Sequence, residues 1–471
     1  MVFRSIRALR SLVLLLAGTC ALTGCVTRPT MNEPLANIDA HSGVGYRYEN
    51  LELGQDNSEE LIVALTFSGG GTRAAAFAYG VLEQLRETSI GSGEAERNLL
   101  NEVDVISSVS GGSLTSAAYG LYGEEIFDNF LEDVLYANLQ GTIVRKLFDP
   151  FAYAKFWSPY YGRSDMLADT FDKYFLEATF GDLVARDQRP FIIINSTDMT
   201  LGQQFSFTQF YFDYLYSNLS TYPISRAVAA SAAVPGALTS MTLHNFPKPP
   251  EYMQPEWIRN EIEHGKLGTL QNSYARDYSG YSEPENRYIH LVDGGISDNL
   301  GLLPIIQIVA DFPAGMTKEA ELVRRGAKKV LVITVNSKKT PKNDWGTKEK
   351  TVGLFQILGA TSVSPMGDFS VAQIEYMRLL HEKREVVTML NSIVNEHNLD
   401  IDVPGDDISP IEYRFVDLSF QQIEDPEERE YLLSIPTSFR LSQEEVDRIR
   451  AAAKNLLESN ERYQAILSEL E

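Results

Sequence analysis

Apolar positions in this chain fall into short unbroken runs, each followed by a cluster of small residues and then by a stretch of helical spacing. The first run, Leu61-Ile62-Val63-Ala64-Leu65, leads into Ser68-Gly69-Gly70-Gly71 and an alanine-rich stretch from Ala74 to Leu85. The same order recurs with Val103 to Val109, then Ser110-Gly111-Gly112, then Ser113 to Gly120. Further runs cover Phe191 to Asn195, Tyr288 to Val292 and Val330 to Val335. A strand covered on both faces reads as a continuous apolar run. Strands alternating with helices therefore imply an α/β fold on a mainly parallel sheet.

Outside these units the pattern changes. Residues 26 to about 58 are polar, without sustained periodicity, and read as a tether or loosely packed arm. Asn245 to Asn286 carries several prolines and many polar and tyrosine residues and reads as a long insertion, either a lid or a plain surface excursion. From about Val371 the chain alternates helical stretches with a polar linker near Asp400 to Pro410 and ends in an amphipathic helix pair, Gln443 to Leu470. Two stretches, Phe148 to Tyr161 and Phe205 to Tyr222, are dense in aromatic rings. Such density serves either an acyl-chain groove and headgroup interface or ordinary core packing.

The N-terminus changes the picture of where the chain works. Arg4, Arg7 and Arg10 precede an apolar run from Ser11 to Gly18 that is too short to span a bilayer. This reads as a secretion signal. The tetrapeptide Leu22-Thr23-Gly24-Cys25 resembles the lipobox of bacterial lipoproteins, which implies cleavage before Cys25 and lipidation of its thiol. Cys20, the other cysteine, falls within the signal, so no structural disulfide is expected. Val26 after the cysteine resembles lipoproteins sorted to the outer membrane of Gram-negative cells. Removing residues 1–24 deletes three arginines and no acid, taking the formal charge from −23 to −26. Such a surface repels nucleic acid and anionic headgroups, so membrane contact is expected from the anchor and from apolar surface.

Two strand-to-helix junctions carry chemistry. Glycines at Ser68-Gly69-Gly70-Gly71-Thr72-Arg73 let backbone N–H groups converge at a helix N-terminus, a setting that welcomes an anion. No Gly-Lys-Ser/Thr ending follows, which excludes a P-loop. Gly69, Gly71 and Ala74 match a dinucleotide fingerprint only formally, since no acidic residue closes the unit at the expected distance. The second junction, Ser108-Val109-Ser110-Gly111-Gly112, approximates the nucleophile elbow G-x-S-x-G, with Ser108 in place of the first glycine. Of the six histidines, His290 lies nearest to Asp293-Gly294-Gly295. Positions three apart on a strand face opposite ways, so His290 and Asp293 do not share a site. Metal-site patterns such as HExxH or CxxC are absent from the sequence, and no metal or cofactor is expected.

The four blocks Gly69 to Arg73, Ser108 to Gly112, Ala230-Ser231-Ala232-Ala233-Val234-Pro235 and Asp293-Gly294-Gly295 resemble, in order, those of the patatin-like phospholipase family. The resemblance covers roughly Leu61 to Val335. It implies a three-layer α/β/α sandwich on a mainly parallel sheet and a Ser110–Asp293 dyad without histidine. Further implications are an oxyanion hole drawn from Gly69, Gly70 and Gly71, and a substrate phosphate held by Arg73. Ser231 and Pro235 are expected as structural support, and Asp298-Asn299 as a helix cap. The expected organisation is a signal peptide at 1–24, a lipidated tether at 25–58, a catalytic domain at 59–337 and a mostly helical C-terminal extension at 338–471. The implied activity is hydrolysis of fatty-acyl esters of phospholipids at a membrane. The alternatives are an esterase or thioesterase acting on soluble acyl groups, and an inactive lipid-binding lipoprotein of the envelope.

Overall fold

A computed structural model of the chain describes residues 27–35, 43–54, 56–93, 96–149, 155–310, 322, 325–338, 349, 354–397 and 411–470. The signal at 1–24, together with Cys25 and Val26, lies outside these residues. Among the described residues the central sheet has eight strands: β1 (Leu61–Phe67), β2 (Val103–Val109), β3 (Phe191–Asp198), β4 (Gln203–Ser206), β5 (Met241–His244), β6 (Tyr288–Asp293), β7 (Lys329–Asn336) and β8 (Glu412–Ser419). Their order is β8-β7-β1-β2-β3-β6-β5, with β4 on β3. Five strands, β8 to β3, run parallel, whereas β6, β5 and β4 pair antiparallel. Every residue of β1, β2 and β3 is buried, which accounts for their unbroken apolar runs.

Helices cover both faces, giving the expected α/β/α sandwich. Helix α1 (Thr72–Glu87) follows β1, and α2 (Gly111–Tyr122) follows β2. Further along lie α3 (Arg163–Phe175), α4 (Ile224–Ser231) and the long α5 (Leu354–Glu396). The C-terminal part adds α6 (Pro426–Ser434), α7 (Gln443–Glu458) and α8 (Glu461–Leu470). Helix α1 is buried on nearly every side because α7 packs on the face turned away from the sheet. A methyl group on Gly80 would sit 2.8 Å from the Arg450 Cα, and the Arg450 guanidinium grips Glu83 with two bonds of 2.6 and 2.8 Å. The C-terminal extension is mostly helical, as expected, yet it also supplies β8, paired with β7 in parallel along its whole length.

One expectation, for the N-terminal segment, is corrected, and two alternatives that the sequence leaves open are decided. Residues 27–35 and 43–54, expected as a loose tether, are packed on the sheet domain. Tyr46, Tyr48 and Leu51 are buried, and the Tyr46 hydroxyl accepts the Ile192 N–H at 2.7 Å. The Asn32 side chain clasps the His244 backbone in both directions, at 2.8 and 2.7 Å. The aromatic stretch from Phe205 to Tyr222 belongs to the core, with Phe205, Phe207, Tyr211 and Phe212 buried. The insertion at 245–286 folds into helices Glu256–His264 and Leu270–Ser279, and its Tyr278 stacks on Tyr214 with ring centres 5.1 Å apart. That packing ties one side of it to the core through Ile258, Tyr274, Tyr278 and Tyr281, while most of its residues stay at the surface, as a surface excursion would. Trp157 and Tyr160 of the other aromatic stretch are exposed.

Candidate active site

Ser110 ends β2 and begins α2 with φ 51° and ψ −117°, a conformation that residues with a side chain rarely adopt. The turn is tight enough to dictate its neighbours. A methyl group on Gly112 would lie 2.8 Å from the Phe67 Cβ, and one on Gly111 would lie 2.0 Å from the Gly71 carbonyl oxygen. Ser108 fits where the elbow usually has glycine because its hydroxyl is taken up by Ser116 Oγ at 2.6 Å and the Ile193 carbonyl at 3.2 Å. The Ser110 N–H donates to Ser231 Oγ at 2.7 Å, and that hydroxyl donates onward to the Asn195 carbonyl at 2.5 Å. The Asn195 side chain in turn bonds Ser107, Ser108, Gln204 and Ser206. A buried polar network therefore sits beneath the strained turn. Ser231 was legible as support, whereas Asn195 carried no signal beyond being a polar residue at the end of an apolar run.

Asp293 closes β6, and its backbone pairs with Ser196, one residue beyond the Val109–Asn195 pairing that precedes Ser110. Its carboxyl is buried and accepts the Gly295 N–H at 2.8 Å, with the Ser110 side chain close enough to act on its charge. Burial raises it to about 7, against the lowering effect of the Gly295 N–H and of the nearby Ser110 hydroxyl. His290 faces outward and meets Thr242 Oγ1 at 3.0 Å, while His381 bonds the Tyr413 carbonyl. The structure thus brings Ser110 and Asp293 together and leaves His290 and His381 elsewhere. Asp298 is buried and accepts the N–H groups of Leu300 and Leu303, as a cap on helix Leu303–Val309 would, and it also receives Gln373 of α5.

The glycine block divides by function. Gly69 was expected among the oxyanion donors, but its N–H is committed to the Asn299 carbonyl at 3.0 Å. Its missing side chain serves instead as clearance, since a methyl group there would lie 2.8 Å from Asn299 Oδ1 and 3.4 Å from the Ser110 Cβ. Among the described residues, the N–H groups of Gly70 and Gly71 have no partner. Gly71 stands at φ 63° beside Gly111. The next N–H, that of Thr72, donates to the Ser438 carbonyl at 2.8 Å.

Arg73 was expected to hold a substrate phosphate, and the structure corrects this as well. Its side chain is 2% exposed and donates from Nη1 to the Ile435 carbonyl at 2.6 Å. Burial lowers its pKa to about 10. The guanidinium braces the C-terminal segment against the glycine block because α1 turns this position inward. Neither Ile435 nor Ser438 had any sequence signal linking it to the site.

A strained serine next to a buried carboxyl, beside two free N–H groups at a helix start, is an arrangement suited to acyl transfer. The family model described as patatin-like phospholipase matches residues 65–306, which is more than half of the chain. The chain belongs to the patatin-like phospholipase family. Members are ester-hydrolysing enzymes, and the mixed, mostly parallel sheet flanked by helices is the patatin-like fold. Among solved structures, human GIVD cytosolic phospholipase A2 is similar over 90% of this chain and 62% of its own, at 14% identity and a TM-score of 0.39. VipD from Legionella pneumophila is similar over 85% of this chain and 67% of its own, at 11% identity and a TM-score of 0.28. This patatin-like chain therefore spans about three-fifths of the length of the human protein. No curated protein matches it in sequence. The family assignment rests on the family model.

Proposed function

We propose that this patatin-like protein is a lipid-anchored serine acyl hydrolase that cleaves fatty-acyl esters of phospholipids at the membrane on which it sits. The observation that carries the reading is the pairing of Ser110, held at φ 51°, with a carboxyl raised by burial to about 7. At neutral pH that carboxylate accepts the Ser110 proton as the hydroxyl attacks the ester carbonyl. The tetrahedral oxyanion is met by the Gly70 and Gly71 N–H groups, a hole typically worth about 3 kcal/mol per donor. Asp293 then returns the proton to the leaving alcohol, and water repeats the cycle on the acyl-serine. Cys25 carries the anchor, each buried acyl methylene contributing about 0.8 kcal/mol. Val26 assigns the protein to the outer membrane of a Gram-negative cell.

The test is release of fatty acid from mixed phospholipid vesicles by wild type, Ser110→Ala and Asp293→Asn, with a chelator control. Release by wild type alone, unaffected by chelator, is the expected result. Turnover that survives Asp293→Asn would return the base to a histidine. Hydrolysis of soluble esters without any vesicle hydrolysis would make the protein a general esterase. No release from either substrate would leave an inactive lipid-binding lipoprotein. Mass spectrometry of the N-terminal peptide checks the anchor, since a mature chain that does not begin at a lipidated Cys25 removes it.

A further inference from the structure

A cavity of about 550 Å³ opens beside the edge ribbon of β5 and β6, outside the dyad. Along β6, Tyr288 and His290 alternate with the buried Ile289 and Leu291, and along β5, Thr242 and His244 alternate with the buried Met241 and Leu243. The four outward side chains form one wall. Asp293 shares parity with Ile289 and Leu291, so its carboxyl belongs to the other face. It also lies three residues from His290, roughly 10 Å along a strand. The remaining walls are the N-terminal arm at Arg28, the turn carrying Tyr160, and Arg226 at the start of α4.

The chemistry of this lining is one-sided. Two guanidiniums and two imidazoles face the cavity, together with hydroxyls from Thr239, Ser240 and Thr242. The single carboxylate, Asp165, is already engaged by Arg226 at 2.8 Å and by the Gly162 N–H at 2.7 Å. Arg226 is itself buried, and its Nε has no partner. The Arg28 guanidinium is held over the Tyr160 ring at 4.7 Å. Burial and the nearby Arg28 hold the His244 imidazole below its ordinary value, which leaves it a neutral hydrogen-bonding group beside the guanidiniums. Such a lining stands out in a chain with a net charge of −23.

We propose that this cavity binds a phosphate-bearing anion at a site separate from the dyad, and that a membrane lipid headgroup supplies it. Two features favour a lipid over a soluble phosphate. The arm forming one wall is fixed to the domain from its first described residue, the Thr27 carbonyl accepting Ser158 Oγ at 2.6 Å, and Thr27 lies two positions after Cys25. The cavity thus stands next to where an anchor would enter the bilayer. Its neighbourhood also exposes Trp157, Tyr160 and Tyr288, rings suited to the headgroup boundary. The choice of a lipid rests on the anchored-hydrolase reading, whereas the phosphate site itself does not.

The experiment uses the full chain carrying Cys25→Ser, with phosphatidylcholine vesicles with and without phosphatidic acid, and glycerol phosphate as the soluble probe. Comparing two headgroups in otherwise identical vesicles cancels any contribution from the N-terminal apolar run. Overall charge predicts repulsion by phosphatidic acid, so a gain of about tenfold in vesicle affinity that Arg28→Gln abolishes would establish the lipid site. Glycerol phosphate binding that Arg28→Gln weakens, with no vesicle gain, keeps the phosphate site and overturns the lipid source. Binding to neither probe, or binding indifferent to both Arg28→Gln and His290→Gln, overturns the proposal. Hydrolysis of a short soluble ester is expected to be unchanged in Arg28→Gln, and vesicle binding unchanged in Ser110→Ala. Loss of hydrolysis alone therefore counts against the dyad, and loss of headgroup binding alone counts against this site.

Discussion

Burial that raises the Asp293 carboxyl to about 7 makes it a usable base near neutrality and also lowers the stability of the fold there. Between the unfolded value near 3.8 and the folded value near 7, the folded state holds a proton that the unfolded state has lost. Stability therefore falls as pH rises through that window. Asp293→Asn keeps the oxygen that accepts the Gly295 N–H and removes the titration. The variant is expected to lose turnover, to melt higher than wild type at pH 8 and to match it near pH 4, which scanning calorimetry at the two pH values would show. An unchanged difference across that range would mean that Asp293 does not titrate there. Wild-type kcat should fall as pH drops below about 7. Ser231→Ala removes the acceptor of the Ser110 N–H. A bond worth about 1–3 kcal/mol, if felt in the transition state, lowers kcat by roughly 5- to 150-fold at little change in KM. A shift in KM alone would assign Ser231 to substrate binding. Ser110 and Asp293 were legible because an elbow and a strand-end aspartate impose local constraints that a sequence records. The committed N–H of Gly69 was not, because its partner, Asn299, lies 230 positions away.

Helix α1 shows what periodicity can and cannot convey. Its alanine-rich run announced a helix, but a helix buried on nearly every side has no polar face at its start to orient it, so nothing in the sequence distinguished an outward Arg73 from an inward one. The inward position makes a specific prediction. Arg73→Met preserves bulk and frees the Ile435 carbonyl, so thermal stability should fall by about 1–3 kcal/mol. The ratio of kcat/KM on a phospholipid to that on a neutral acyl ester should not change. A selective loss on the phospholipid would restore Arg73 as a phosphate ligand. Strands β1, β2, β3 and β7 were legible as apolar runs. Strand β8 was not, because Glu412-Tyr413-Arg414-Phe415 alternates as an edge strand does and sits among helical stretches. The N-terminal arm was misread for a related reason: Tyr46, Tyr48 and Leu51 are anchors too sparse to form a pattern.

On the scale of the whole molecule, the catalytic unit does not end where the recognisable motifs end. The last apolar run stops at Val335, which invites a boundary at residue 337. The chain beyond it supplies the edge strand beside β7, the α7 layer over α1, the Ser438 carbonyl at the Thr72 N–H and the Ile435 carbonyl at Arg73. Phe415, Val416, Leu418, Phe420, Ile449 and Leu457 are all buried in the common core. Removing them would strip one face of α1 and leave β7 as a bare apolar edge, a template for aggregation. A chain truncated after residue 337 is therefore expected to be insoluble and without esterase activity, although it retains Ser110, Asp293 and the glycine block. Fractionation after expression, with turnover of a short-chain ester as the readout, checks this directly. A soluble, active 1–337 fragment would make the C-terminal third an accessory, and its contacts with the glycine block would then be incidental to catalysis. An insoluble fragment that regains activity when the 338–471 segment is supplied in trans would show that the two parts form one folding unit whose active site is completed from both ends of the chain.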